Sequence, residues 1–273
     1  MLSEFLINAL WHAITFIGLV YFVGFIISLI NRYFYKVTGY SKLAIYGTGL
    51  IGTPIHETSH LVMCLLFFHK VHDVKFFQIS DSDGVLGYVN HSWNPKNLYQ
   101  QIGNYFIGVA PIVVGTLIIY WAMSYFLPET YSEIGKYFSA IEVLGSKLTI
   151  FDYIFDMIGG MLSAMFLEIS IGWKWWVFML IAICISLHMS LSTADIKGSI
   201  IAIPLLIIII ALANVVIGFV FNGSYTDFLV TMNTAGGFVV SMLTFALVLS
   251  AICLILTLVL KGLFWLIAKM FRR

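Results

Sequence analysis

Several apolar runs in this chain exceed the roughly 20 residues that an α-helix needs to cross a lipid bilayer, and this limits the possible folds more than any other feature. The composition agrees, because 61% of the 273 residues are hydrophobic and only 10% are charged, far from the balance of a soluble globular domain. The net charge of +1 gives no reason to expect a nucleic-acid partner. We therefore predict an all-α polytopic membrane protein surrounded by the lipid bilayer.

Seven transmembrane helices are predicted, with six as the alternative. Their approximate bounds are 5–30, 43–68, 102–127, 148–169, 175–191, 199–221 and 235–263. The fourth segment decides between the two counts, because it carries Asp152, Asp156 and Glu168. Lys and Arg collect in cytoplasmic loops, and seven spans with an outside N-terminus place ten of the 14 basic residues inside. The charge pattern favours seven spans, in a multi-pass protein that we expect in a bacterial cytoplasmic membrane.

We expect one membrane domain over residues 1–273, with a core at 43–200 and accessory helices at 1–42 and 201–273. The sizeable polar region lies between the second and third segments. There, residues 74–79 and 85–90 have the pattern of two strands around the turn 80–84, which predicts a small β-hairpin. Its edge strand could pair with an extended substrate, or it could be a surface hairpin with no such role.

The most specific motif is His56-Glu57-Thr58-Ser59-His60, which lies inside the second apolar segment. Histidines four residues apart lie on one face of a helix, so both imidazoles can reach a single metal ion. The glutamate between them can take a proton from metal-bound water. Ionisable residues within a membrane segment are costly and usually functional. The motif predicts a metalloprotease that works within the membrane.

A helix start is predicted in the middle of this segment. Gly47, Gly49 and Gly52 precede Thr53-Pro54, and a hydroxyl residue followed by proline is typical of the first turn of a helix. We therefore expect the histidine helix to begin near Pro54, after a glycine-rich stretch. These glycines could form irregular backbone beside a wet cavity, or they could permit close helix packing.

A zinc hydrolase needs a third protein ligand and an open position for water. The candidates within the apolar segments or next to them are His12, Asp152, Asp156, Glu168, His188 and Asp195. Asp195 is favoured, because it follows the fifth segment on the side of the membrane where the histidine helix begins. The alternative is that Asp195 caps the sixth segment. His188 could support a metal ligand or replace one.

A second group of possible ligands lies at the start of the polar region. His69, His72 and Asp73 have a spacing that could bind a metal ion, or they could be polar residues at the membrane interface. Asn104, in the third segment, is a candidate for holding a substrate or a developing oxyanion.

The chain resembles the site-two protease group of intramembrane zinc metalloproteases. The resemblance rests on His56-Glu57-x-x-His60 within a span, the β-rich stretch that follows, and the run from Gly108 to Gly115 in the next span. It covers roughly residues 50–200. The chain has Ser59 where the group usually has glycine, and it lacks the group's Asn-Pro element before Asp195.

The resemblance implies zinc held by His56, His60 and Asp195, with Glu57 as the general base. The substrate would be a membrane-embedded or membrane-associated protein, cleaved at a peptide bond by zinc-activated water. The rival hypothesis is a metal-binding membrane protein without hydrolase activity, either a divalent-cation carrier or an inactive protease-like scaffold. A carrier would use the same histidines but would not require Glu57 as a base.

Overall fold

Ten α-helices and one β-hairpin form the parts of the chain that this computed structural model describes, which are residues 2–79, 85–139, 150–220 and 225–270. The helices are α1 (Leu2–Ala13), α2 (Leu19–Val37), α3 (Lys42–Leu66), α4 (Leu98–Phe126), α5 (Pro128–Ser139), α6 (Ile150–Leu167), α7 (Trp173–Ser186), α8 (Thr193–Ile200), α9 (Ile203–Val220) and α10 (Tyr225–Met270). A π-helical turn at Ile14–Gly18 joins α1 to α2, and a 3₁₀ turn at Glu168–Ile171 follows α6. The strands are β1 (Lys70–Lys75) and β2 (Tyr88–Ser92).

Within the described residues, five helices are long and apolar enough to cross a membrane. They are Leu2–Val37, Leu98–Phe126, Asp152–Ile171, Ile203–Val220 and Tyr225–Leu263. The prediction of a helical membrane protein with a small β-hairpin is confirmed at this level. Of the other two predicted spans, α3 carries His56, Glu57 and His60 near its middle and is too polar to belong to the five. The other, α7, has only 14 residues and is too short to belong to the five.

Helix α3 is continuous, so the predicted helix start near Pro54 is wrong. The helix begins after Ser41, whose Oγ accepts a hydrogen bond from the Ala44 N–H at 3.2 Å, and Pro54 lies inside it. Two of the preceding glycines, Gly49 and Gly52, lie at close packing contacts and do not break the helix. A Cβ atom on Gly52 would lie 2.3 Å from the Cys184 carbonyl oxygen of α7, and one on Gly49 would lie 3.1 Å from the Leu86 side chain. Packing on both sides therefore holds the helix together through the proline.

The C-terminus of α3 turns the chain back along its own helix. His69 N–H donates to the Cys64 carbonyl at 2.8 Å and Phe68 N–H donates to the Leu65 carbonyl at 3.2 Å. Phe68 has a φ of 56°. This is the Schellman arrangement, with phenylalanine at the left-handed position that usually holds glycine, at a cost of roughly 1–2 kcal/mol. As a result, β1 starts immediately after the helix and the hairpin runs back beside it.

The hairpin forms between the predicted elements, but its strands lie closer to α3 and α4 than the sequence pattern indicates. The predicted strands were 74–79 and 85–90, whereas the observed antiparallel pairing runs from Lys70↔Ser92 to Lys75↔Tyr88, with an irregularity between Val71 and Asp73. The difference follows from the tight helix end, which brings the strand start forward. The predicted turn at 80–84 lies outside the described residues.

Helix α7 ends at Ser186, five residues before the predicted end of the fifth span. The Asn31 side-chain amide donates to the Leu187 carbonyl at 3.1 Å and to the Ser186 carbonyl at 3.4 Å. Side-chain donors of this kind replace the backbone bonds that a longer helix would make. Residues 187–192 therefore form a non-helical connector to α8, and this connector reaches the histidines of α3.

Stability measurements can test the packing role of the α3 glycines. We expect Gly52→Ala to reduce the free energy of unfolding by about 1–3 kcal/mol, because its methyl group collides with α7 backbone. Gly47→Ala is the matched control: nothing lies within 4 Å of its added carbon, so stability should stay the same or rise by up to about 1 kcal/mol. Thermal unfolding in detergent would show both effects. Equal destabilisation by the two changes would contradict the packing assignment.

Candidate metal centre

The imidazole rings of His56 and His60 face each other on one side of α3. Their Nε2 atoms are 3.0 Å apart. The opposite ring nitrogens are held by backbone carbonyls, with His56 Nδ1 donating to the His188 carbonyl at 2.5 Å and His60 Nδ1 donating to the Ile107 carbonyl at 2.8 Å. A carbonyl can only accept, so each Nδ1 carries the proton. Both Nε2 atoms therefore present lone pairs to the same point.

The sequence explains why these two carbonyls are free to accept. The Ile107 carbonyl in α4 would normally bond to the N–H of residue 111, but Pro111 has no N–H. The His188 carbonyl lies in the connector after α7, outside any helix. One proline and one early helix end thus provide the two acceptors that orient the histidines. Carbonyl support of this kind is usual for histidines that bind metals.

Asp195 joins the two histidines from the first turn of α8. Its Oδ1 lies 3.3 Å from His60 Nε2, and its Oδ2 lies 4.0 Å from His56 Nε2. The Ser192 N–H donates to Oδ2 at 2.7 Å, while the Ser192 Oγ accepts from the Asp195 N–H, which forms a capping box. Asp195 therefore caps a helix, as the alternative interpretation expected, and also faces the histidine pair.

Helix α8 can bring Asp195 this close because α4 has a glycine at the contact. A Cβ atom on Gly108 would lie 2.6 Å from both the Asp195 carbonyl oxygen and the Ser199 Cβ. The Ser199 hydroxyl donates to the Asp195 carbonyl at 2.6 Å and accepts from the Tyr21 hydroxyl at 2.5 Å. A close helix contact and a hydroxyl chain from α2 thus fix the position of the aspartate.

This arrangement suits a divalent metal ion of the zinc type. One ligand atom from each of His56, His60 and Asp195 lies within 4.8 Å of the other two. Zinc bonds of about 2.0–2.1 Å in a tetrahedron require ligand atoms about 3.3 Å apart, close to the observed 3.0 and 3.3 Å. Two lone pairs and a carboxylate repel each other unless a proton or a metal cation lies between them. Nitrogen and oxygen donors are those that zinc accepts.

Glu57 lies next to the candidate ligands His56, His60 and Asp195. The residue is 7% exposed, and among the residues that the structure describes its side chain makes no hydrogen bond or ion pair. Its Cγ is close to the hairpin: a Cβ atom on Gly87 would lie 2.8 Å from it. The side chain lines the same cavity as the candidate ligands.

A cavity of about 390 Å³ opens onto the candidate ligands and Glu57. One wall is the hairpin, which contributes Val85, Gly87, Tyr88, Val89 and His91. The hairpin folds back to the histidines because the tight end of α3 reverses the chain. Gly198 of α8 also lines the cavity.

The two remaining predicted site residues lie close to the centre in different ways. His188 supports His56 through its backbone carbonyl, while its ring is held by the hydroxyls of Thr48 at 3.2 Å, Thr53 at 3.3 Å and Tyr35 at 3.4 Å. Its imidazole therefore does not face the other two histidines. Asn104 is buried and lines the cavity, where its side-chain amide makes only long contacts to carbonyls of its own helix.

The other ionisable candidates have structural partners. Glu168 accepts hydrogen bonds at 3.0 Å from the N–H groups of Glu129 and Thr130 and so caps α5. Asp156 accepts from the Tyr137 hydroxyl at 2.9 Å. His12 lies 3.3 Å from the Asn214 amide in a buried helix contact.

The spacing-based group His69, His72 and Asp73 does not come together as a metal site. His72 Nε2 contacts the Ser92 hydroxyl at 2.7 Å, and Asp73 accepts from the Tyr88 hydroxyl at 2.6 Å. His69 faces His91 instead, across the β-hairpin. Burial first, and then the neighbouring His69, lowers the pKa of His91 to about 4, so its ring is neutral near pH 7.

Three contributors to the site were missed from the sequence, namely Gly87, Gly108 and His91. Gly87 had a recognisable signal, since glycine inside a strand-like run often marks close approach of another backbone or side chain. Gly108 had only its place in a glycine-containing span. His91 had none, because its position depends on the strand register.

Comparison with known proteins adds no further assignment. No family model matches this chain, and no curated protein or solved structure is significantly similar to it.

Hydrogen exchange can test the contact between the hairpin and α3. We expect Gly87→Ala to raise the exchange of β1 and β2 amides, because the added methyl group collides with Glu57, Thr53 and the Lys75 carbonyl and pushes the strands away. Gly198→Ala is the control: it changes another residue that lines the same cavity, and nothing lies within 4 Å of its added carbon. It should leave hairpin exchange unchanged. Unaltered exchange in Gly87→Ala would show that the strands do not pack on α3 in this way.

Proposed function

We propose that the protein is an intramembrane zinc metalloendopeptidase that hydrolyses peptide bonds of membrane-embedded or membrane-associated proteins. The observation that carries the proposal is the convergence of His56 Nε2, His60 Nε2 and the Asp195 carboxylate beside Glu57 in one cavity. Asp195 comes from a segment 135 residues further along the chain than His60. The His56-Glu57-x-x-His60 motif alone does not require Asp195 to lie beside the histidines, so the geometry supports the proposal independently of the motif.

The residues divide the chemistry between them. Zinc, when bound by His56, His60 and Asp195, supplies a Lewis acid that polarises a peptide carbonyl and makes water more acidic. Glu57 would take the proton from the attacking water and pass it to the leaving amine. The Ser192 N–H, by holding Asp195 Oδ2, leaves Oδ1 as the ligand atom. Asn104 would position the substrate in the cavity.

The hairpin gives the proposed substrate a place to bind. Strand β2 pairs with β1 along one edge, and the pairing contains two strands among the described residues. Residues of β2 also line the cavity. An extended peptide could add to the remaining edge through main-chain hydrogen bonds and present its carbonyl to Glu57 and the metal. This requires an unwound substrate segment, as peptide-bond cleavage within a membrane does.

The environment is part of the proposal. The five long apolar helices support a membrane location, and we further propose that α3 and α7 complete seven spans in a bacterial cytoplasmic membrane. A hydrolase there needs water, and the cavity contains the polar side chains of His56, Glu57, His60 and Asp195, which could hydrogen-bond to it. The likeness to the site-two protease group is part of the same proposal.

Substitution of Glu57 separates catalysis from metal binding. We expect Glu57→Gln to retain zinc and to fold normally but to cleave a membrane-embedded peptide in liposomes at least about 10²-fold more slowly, because the general base is lost. Asp195→Asn should weaken zinc retention as well as activity, since it removes an anionic ligand. His60→Ala should abolish zinc binding at this site. Metal analysis of the purified protein and a cleavage assay measure the two properties.

Glu133→Gln provides the matched control, because Glu133 forms an ion pair with Lys136 on another part of the surface. It should cleave at the parent rate. Parent-rate cleavage by Glu57→Gln would overturn the mechanism. A parent protein that cleaves no peptide, yet moves a divalent cation into vesicles, would instead indicate the carrier.

A further inference from the structure

A second group of metal-ligating side chains lies at the C-terminal end of α3. It comprises Cys64, His69 and His91, and one ligand atom from each lies within 4.8 Å of the other two. The Nδ1 atoms of His69 and His91 are 3.1 Å apart. Cys64 and His69 are buried, and His91 is half-buried at the edge of the cavity. The three residues come from a helix, a tight turn and a strand.

The hydrogen bonds of His69 prepare this group for a metal. Its Nε2 contacts the Gln100 carbonyl at 2.8 Å, so Nε2 carries the proton and Nδ1 presents a lone pair. The same carbonyl support orients His56 and His60 at the first centre. The facing nitrogen of His91 is then either a donor to this lone pair or a second ligand for a cation between them.

The backbone places the cysteine and the first histidine together. In the Schellman end of α3, the His69 N–H bonds to the Cys64 carbonyl, so the two residues are adjacent although five positions apart. Phe68 takes the left-handed conformation that makes this possible. The third residue, His91, arrives through pairing of its strand, in which it lies opposite Val71. Helix end, turn and strand register all contribute to the cluster.

Its donor set differs from that of the first centre. A thiolate with two imidazoles is a ligand set of zinc and other thiophilic metals. Tetrahedral zinc requires nitrogens about 3.3 Å apart and a sulfur about 3.6 Å from each of them. The observed N···N distance of 3.1 Å already fits, and the sulfur needs to move by at most about 1.2 Å from the 4.8 Å limit.

The two candidate centres are neighbours, but they are too far apart to form one site with two bridged metal ions. Cys64 lies one helical turn beyond His60, which corresponds to a rise of about 6 Å. Bridged catalytic metals lie about 3.5–4 Å apart. The Cys64 group would therefore hold its own ion.

We propose that Cys64, His69 and His91 form a second, mononuclear zinc site that fastens β2 to the end of α3. Cys64 binds as the thiolate and releases its proton to water, and His91 moves its ring proton to Nε2 so that Nδ1 can bind. Because β2 also lines the first cavity, the metal holds that cavity wall in place. The site does not depend on the protein being a protease.

Cobalt substitution tests the site directly, because only a sulfur ligand gives a sulfur-to-cobalt charge-transfer band in the near ultraviolet. We expect the full-length protein loaded with Co²⁺ to bind about two ions per chain and to show this band. Cys64→Ala should lose the band and about one ion. The double change His56→Ala/His60→Ala should lose an ion but keep the band, since its site contains no sulfur.

Cys253→Ala is the matched control, because Cys253 is an equally buried free cysteine in a different cluster, beside Phe34 and Leu187. It should keep the band and both ions. His91→Gln, which leaves α3 unchanged, should lose one ion even if Cys64→Ala fails to fold. The proposal is overturned if the cobalt-loaded parent shows no charge-transfer band, if Cys64→Ala keeps it, or if His91→Gln retains both ions.

Discussion

The hydrogen bonds from His56 and His60 to two backbone carbonyls are the constraint around which the rest of the site is arranged. A buried imidazole N–H requires an acceptor, and each acceptor here exists because a regular helix is interrupted. Pro111 leaves the Ile107 carbonyl without its usual donor, and the early end of α7 exposes the His188 carbonyl. With both rings fixed, their Nε2 atoms converge, and the place for a third ligand follows.

Much of the site could be predicted from local spacing, because two histidines four apart on a helix must share a face. Asp195 required an argument about depth in the membrane, and the structure does bring it beside the pair. The helix start at Pro54 and the strand bounds were wrong for a common reason. Gly52 can break a helix or allow close contact with Cys184 of α7, and which of the two occurs depends on the helix that packs against it. The position of β1 depends on the left-handed backbone conformation of Phe68. Neither the helix that packs against Gly52 nor the rare conformation of Phe68 can be predicted from the neighbouring residues in the sequence.

Helix α3 contributes residues to both candidate metal centres from successive turns of one face. His56 and His60 face Asp195 on α8, and the next turn presents Cys64 toward the hairpin. A rigid helix fixes the spacing of such groups more accurately than a loop does. The long-range partners reach it from both directions along the chain, one through a close contact at Gly108 and the other through strand pairing. The position of the hairpin therefore affects the geometry of the cavity at two positions along α3, near Glu57 and near Cys64.

The brevity of α7 has a consequence for the surrounding lipid. Its 14 residues extend about 21 Å, some 9 Å less than a typical hydrocarbon core of about 30 Å. Trp173 and Trp176 at its start are about two-thirds exposed, and tryptophan anchors at the headgroup level. With α7 as a span, as proposed above, thinning of the bilayer is one way to match its short length. Hydrophobic mismatch would then bring the headgroups toward the connector at 187–192, and so shorten the distance that water travels to the histidines.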